Sequence, residues 1–316
     1  MTALSRRLAL SAIVLLTGTA TVAWSSAPQP HPFAPDAITG GTGVDCLTFM
    51  PDGDTALLDV EGSHRSTIAI SHRSGDGWSV PRTAPFSGRW VDHDPAVAPD
   101  GSYLIFTSNR PDVAGGQALH GGHLWRVDRA AGGWSTPTRL PDSVNFGEHI
   151  YAPSIAADGD LFYQSRDNPS HDYHIYLAAW HDGRYRSPVQ LPLGPPGAHE
   201  LDPAIAPDES FIVFDANYAG RSQPDHLYIA FAEGDRWSTP TDLGDALDRY
   251  QPWGSHLGPD GHTLYVTSDA VIESRGPGTQ AAANVATRPA TGGVNHIWSV
   301  DLGPFLERAH ATTLPR

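Results

Sequence analysis

The sequence predicts an all-β fold: a single five-bladed β-propeller of four-stranded antiparallel blades. Three observations predict it. An Asp, followed by Gly in every copy but the fourth, recurs at Asp52, Asp100, Asp158, Asp208 and Asp260, a spacing of roughly 50 residues that suits one propeller blade per copy. A His-(Leu/Ile)-(Trp/Tyr) triplet recurs at His123, His174, His226 and His296. An aromatic-Ser-x-Pro signature recurs at Trp78, Trp134 and Trp237, with Tyr185 opening a variant. Between these marks lie short runs rich in β-branched and aromatic residues, bounded by Gly, Pro, Asn and Asp, with no helical period. One such sheet cannot bury both its faces alone, so the copies must stack around an axis.

Taken in order, residues 1–27 read as an export signal. Arg6 and Arg7 precede the apolar run LALSAIVLLTGTATVAW, and small residues follow. The alternative is that this run is retained as a membrane anchor, the one route to a membrane. Residues 28–316 then form the propeller domain, placed in the periplasm or outside the cell. Blade one spans about 45–81, blade two 93–139, blade three 150–192, blade four 201–243 and blade five 253–302. Blade five lacks an aromatic-Ser-x-Pro strand of its own. The segment PFAPDAITGGTGVD precedes the first turn much as STPTRLPDSVNFGEH precedes the third. Residues 33–40 are therefore expected to supply the outermost strand of blade five, closing the ring and removing an open edge. Pro81, Pro137, Pro188 and Pro240 fall on outermost strands, where a missing N–H costs little.

The first strands line the axis. Each carries an apolar residue (Phe49, Val97, Ile155, Ile205, Leu257), preceded by Thr48, Ala96, Ser154, Ala204 and His256. Small residues let the innermost strands crowd together. His256 breaks the set and reads either as a satisfied core histidine or as a polar group lining the channel.

Composition narrows the partners. The chain of 316 residues is a normal length for one closed all-β ring, and its 32 Gly and 28 Pro fit many tight turns. All 20 basic residues are Arg against 35 acids, and losing the signal moves the net charge from −15 to −17. Phosphate backbones need cationic side chains to displace counterions, so nucleic acid is excluded as a partner. Cys46 is the only cysteine, so no internal disulfide forms. Its small apolar bulk suits strand packing. The chain is expected to act as a monomer.

The repeats carry a resemblance. DPAVAPDGSYLIFTSNR with HLWRV and GGWSTPTRL, YAPSIAADGDLFYQSRD with HIYLA, and DPAIAPDESFIVF with HLYIA resemble the TolB-type, WD-like propeller repeats of bacterial envelope proteins. The resemblance extends over essentially all of the mature chain and implies the propeller fold and a binding role. Blade one departs from that family's pattern in lacking the Ser-x-Arg after its second strand. The acidic residue usual in that family at the start of the third strand is His here.

In a propeller, the segments leading into first strands and those joining second to third strands share one rim. Here the lead-in segments hold Asp45; Asp92, His93 and Asp94; Glu148, His149 and Tyr151; His199, Glu200 and Asp202; and Tyr250, Gln251 and Trp253. Acids, imidazoles and aromatic rings converging on one mouth make a candidate ligand site. Three readings stay open. These groups could merely cap strands and bond loops. They could form a noncatalytic mouth for a protein or glycan, with Tyr151, Tyr250 and Trp253 as stacking platforms. Or they could be catalytic: Asp92 and Glu200 as acid and base on a glycosidic bond, or His93, His149 and His199 holding a divalent metal. No cofactor is expected under the first two readings.

Arg110, Arg166 and Arg221 follow second strands and read as bridges between blades. The third-strand histidines read as a repeated structural bond. The long connection at 268–295, rich in Gly, Ala and Thr, reads as a tolerated insertion or a lid.

Overall fold

The computed structural model describes residues 29–33, 38, 43–62, 65–147, 149–166, 172–218, 225–248, 250–270 and 294–307. Five antiparallel blades follow one another along the chain. Their first strands are Val44–Phe49, Asp92–Val97, Ile150–Ile155, His199–Ile205 and Trp253–Leu257. The second strands (Thr55–Glu61, Tyr103–Ser108, Leu161–Ser165, Phe211–Asn217, Thr263–Ser268) are mostly buried. A strand covered on both faces needs apolar residues in continuous runs, which is what LFYQS and FIVFDAN supply.

The turn joining first to second strand is built by the recurring Asp. Asp52, Asp100, Asp158, Asp208 and Asp260 each accept the backbone N–H two residues on, at 2.8–3.1 Å. The next residue turns left-handed: Gly53, Gly101, Gly159 and Gly261 have φ of 69°, 72°, 97° and 73°. Glu209 takes the same conformation at φ 58° without glycine's freedom, at a cost of roughly 1 kcal/mol.

The outermost strands are split. In blade one Gly77–Trp78 and Arg82–Thr83 both pair with the third strand, and Ser79 between them caps it, Oγ accepting the His72 N–H at 3.0 Å. Ser135 and Ser238 do the same for Asp128 and Phe231. The Ser-x-Pro signature thus ends one pairing and lets the chain step sideways into the next.

Five apolar clusters fill the five seams between blades. Leu57, Ile68, Leu104, Phe106 and Trp125 hold blade one to two; Ile105, Leu124, Ile150 and Tyr163 hold two to three. Phe162, Ile175, Ile212 and Phe214 hold three to four; Val213, Leu227, Leu264 and Trp298 hold four to five. The last seam contains Leu47, Phe49, Leu58, Trp78 and Ile297.

The N-terminal segment closes the ring, slightly earlier than the expected 33–40. His31–Pro32 pairs antiparallel with Ser299 and Trp298, and the Phe33 N–H donates to the Ile297 carbonyl at 2.9 Å. Phe33 then turns into the seam, where its ring meets Phe49, Trp78 and Tyr265 at centroid distances of 5.8, 5.7 and 5.1 Å. Ile38 is buried in the same cluster. Among the described residues no helix is long and apolar enough to cross a membrane. Residues 1–27, Arg221 and the connection from 271 to 293 lie outside the described residues.

Candidate functional site

Each first strand carries a β-bulge. The register shifts between Asp45 and Thr48, His93 and Ala96, Tyr151 and Ser154, Leu201 and Ala204, and Trp253 and His256. The residue opening each bulge is left-handed: Cys46 (φ 45°), Asp94 (51°), Ala152 (49°), Asp202 (47°) and Gly254 (62°). For the four that carry a Cβ this costs of order 1 kcal/mol each, and such strain persists only where the surroundings enforce it.

Hydrogen bonds across the seams enforce it. The Asp94 N–H donates to Asp59 Oδ2 (2.9 Å), that of Ala152 to Asp94 Oδ2 (3.0 Å) and that of Asp202 to Gln164 Oε1 (2.6 Å). The Gly254 N–H donates to Asp202 Oδ2 (2.8 Å) and that of Cys46 to Thr267 Oγ1 (3.2 Å). Every acceptor comes from the preceding blade. Some are bulge residues themselves; the others belong to a second set, Asp59, Thr107, Gln164, Asp215 and Thr267, each paired across the ladder with the residue before a bulge. A wheel of side chain-to-backbone bonds thus circles the axis.

The wheel is acidic. Asp59, Asp94 and Asp215 are buried, with Asp45 and Asp202 partly so. Burial, opposed by hydrogen bonds from Thr267 and Trp253, pushes Asp45 up to about 6. Burial, with the charge of Asp94, moves Asp202 up to about 7. Burial drives Asp59 well up, reinforced by the charge of Asp94, and drives Asp215 well up beside Asp202. Asp94 goes the other way. Burial opposes its charge, but the His93 imidazole at 3.0 Å and the N–H of Ala152 hold it well below the usual carboxylate range. Burial likewise opposes charge on His93, but the Asp94 carboxylate outweighs it and raises the imidazole. One ionised carboxylate therefore sits among four held toward their neutral form.

Above the wheel, Asp45, His93, Tyr151, Leu201 and Trp253 are half-buried around the mouth. His93 stacks on Tyr151 (5.5 Å), Tyr151 meets Tyr173 (6.1 Å) and Tyr173 meets His199 (5.7 Å). This arc runs from blade two to blade four. His149 packs beside Tyr151 at 6.4 Å and His120 beside His149 at 5.7 Å.

At the opposite end of the axis a cup of about 140 Å³ is lined by Thr48, Ala96, Ser154, Ile205 and His256. Burial lowers His256 to about 4, so it stands there neutral. It is both buried and channel-lining.

The structure brings together only part of the predicted set. Asp45, His93, Tyr151, Asp202 and Trp253 share the mouth, with His149 and His199 on its rim. Asp92 and Glu200 do not reach it. Asp92 is fully buried, bonded to Ser87 and Ser108 and paired with Arg110 at 2.6 Å. Glu200 is buried at the equivalent place between blades three and four. Tyr250 is a core residue, its ring 4.8 Å from that of Trp298. Gln251 is exposed in a left-handed turn at φ 44°. Glu148 lies outside the described residues. His93, His149 and His199 do not come together as a metal-ligating group.

The third-strand histidines meet different partners: Arg139 for His123, Glu200 for His174, Asp248 for His226. Cys46 is not packed in an apolar pocket: its sulfur lies 3.3 Å from Asp94 Oδ1. Sequence reasoning missed Asp59, Asp215 and Tyr173. Tyr173 was signalled by its place between second and third strands, on the shared rim.

No protein-family profile and no curated protein matches the chain. Solved structures do. A thermostable family-43 glycoside hydrolase is similar at TM-score 0.53 and 14% identity, over 85% of this chain and 92% of that one. An α-L-arabinofuranosidase from Lactobacillus brevis gives 0.52 and 12%, over 85% and 94%. TolB from Agrobacterium tumefaciens gives 0.47 and 19%, over 71% and 69%. At these identities the likeness is one of fold, and a fold hosts many activities.

Proposed function

We propose that the chain is an exported binding propeller that holds a glycan, or a hydroxyl-rich or cationic protein segment, in its acidic mouth without turning it over. The observation that carries this reading is the aromatic arc His93–Tyr151–Tyr173–His199 standing over a ring of carboxyl groups. Flat rings take the apolar face of a sugar and carboxylates accept its hydroxyl protons, a pairing of apolar surface with few convergent polar groups typical of small-ligand sites. The net charge of −15 disfavours anionic ligands. Calorimetric titration against neutral and cationic oligosaccharides and peptides tests it. Saturable binding is expected, weakened at least tenfold in Tyr151→Ala and Trp253→Ala, with ligand recovered intact. Equal binding by both variants would overturn the reading.

A second reading, hydrolysis, is favoured by one observation. Asp94 is held ionised while Asp202, in the same wheel, is raised to about 7. Carboxyl groups pushed apart in this way are how a site keeps a base and an acid at neutral pH. Product released from a glycan by the wild type and lost in Asp202→Asn would establish it in place of the first.

A further inference from the structure

Where blade one meets blade two, Cys46 Sγ and one carboxylate oxygen each from Asp59 and Asp94 lie within 4.8 Å of one another, all three residues buried. The sulfur is 3.3 Å from Asp94 Oδ1. The orientation of Asp94 is fixed from behind: its Oδ2 receives the Ala152 N–H (3.0 Å), the Thr107 hydroxyl (3.2 Å) and faces His93 Nδ1 (3.0 Å). That leaves Oδ1 turned toward the thiol. Asp59 is anchored through Oδ2, which accepts the Asp94 N–H, while its Oδ1 is buried with no hydrogen-bond partner, in a side chain only 2% exposed. Leaving such an acceptor unsatisfied is unfavourable, more so for a charged group. Asp45 Oδ1 flanks the sulfur at 3.8 Å on the mouth side.

We propose that Cys46, Asp59 and Asp94, flanked by Asp45, bind a divalent transition-metal ion of the zinc class. The donor set and spacing carry the assignment. A tetrahedral ion with metal–sulfur and metal–oxygen bonds of about 2.3 and 2.1 Å separates those two ligands by roughly 3.6 Å, near the separation found. A thiolate selects zinc, cobalt or cadmium over calcium and magnesium, which take oxygen ligands alone. An ion here would satisfy the orphaned oxygen of Asp59 and neutralise buried acids. These ligands are distinct from the rim histidines, and the site does not depend on whether the mouth binds a glycan.

The test uses the purified protein stripped with a chelator and titrated with Zn²⁺, Co²⁺ and Ca²⁺. One equivalent of Co²⁺ should produce a thiolate-to-metal charge-transfer band, and Zn²⁺ should displace it; Ca²⁺ should not. Zn²⁺ should also raise the melting temperature. Cys46→Ser should abolish the band, and Asp59→Asn should weaken zinc binding at least tenfold, with circular dichroism checking that each variant is folded. No band and no thermal shift in the wild type, or zinc affinity unchanged in a folded Asp59→Asn, would overturn the proposal.

Discussion

Arg110 reaches Asp92 at 2.6 Å in the interior of the molecule, with both side chains almost wholly shut off from water. The same guanidinium donates to the Phe86 carbonyl (3.1 Å) and to Ser108 (2.9 Å), and lies over the rings of Phe106 and Trp125. The Arg that follows this second strand is a brace tying the segment between blades one and two to the sheet it enters. Removing one partner leaves a buried charge alone. Asp92→Asn should therefore cost about 3–5 kcal/mol, while replacing both partners with apolar residues should recover part of it. Urea unfolding of the two single variants and the double variant checks this; additive losses would contradict it.

Glu200 gives a prediction in pH. Burial raises it to about 7, above its ordinary 4.5. The folded protein therefore holds this proton more tightly than the unfolded chain, and stability falls as pH rises from about 4.5 to 7. Glu200→Gln removes that dependence. It should be nearly neutral at pH 4 and stabilise by roughly 2 kcal/mol at pH 8, read from melting curves at the two pH values. A variant less stable than wild type at pH 8 would contradict it.

Closure by Phe33 can be tested directly. Its ring touches three aromatic side chains from blades one and five. Phe33→Ala should destabilise by ~2 kcal/mol, toward the low side for a phenylalanine because it is only half-buried. Hydrogen exchange should rise first at Ile297 to Ser299, the partners of the closing strand. Uniform exchange across all blades would argue against a local seam.

The bulges separate steric from conformational cost. A Cβ at Gly254 would sit 2.9 Å from Cys46 Sγ, at a φ of 62°. Gly254→Ala should lose about 1–3 kcal/mol. Ala152→Gly, at the same place one blade-pair earlier, relieves its left-handed strain and should change stability by less than ~1 kcal/mol. Thermal melts of both variants decide it.

The fold was legible because the blades repeat the same local chemistry, with blade five lacking only the last of its three marks. An Asp that caps a tight turn, a buried run and a Ser-x-Pro break each leave their residues in a fixed order. The mouth was legible only where it used the strand that repeats announce. Asp45, His93, Tyr151 and Trp253 precede bulges, and their period points to one rim. Asp59 and Asp215 sit inside second strands, where an acid among DVE or FDAN looks like an edge residue facing water. Only the inter-blade bond to Asp94 explains why Asp59 is buried. Asp92 misled for the converse reason: it belongs to the lead-in segment, but its partner Arg110 turns it away from the axis. The bulge itself shifts every later side chain by one place, and nothing in DHDPAV or VDCLTF marks it.

His31 pairs with Ser299, so the disc's last latch joins two segments 268 residues apart along the chain. A ribosome releases four complete sheets before the fifth can recruit its outer strand. Until then Phe33 has no finished slot, and Tyr265 lacks the ring that packs against it. The ring cannot close until both of these distant segments have been made.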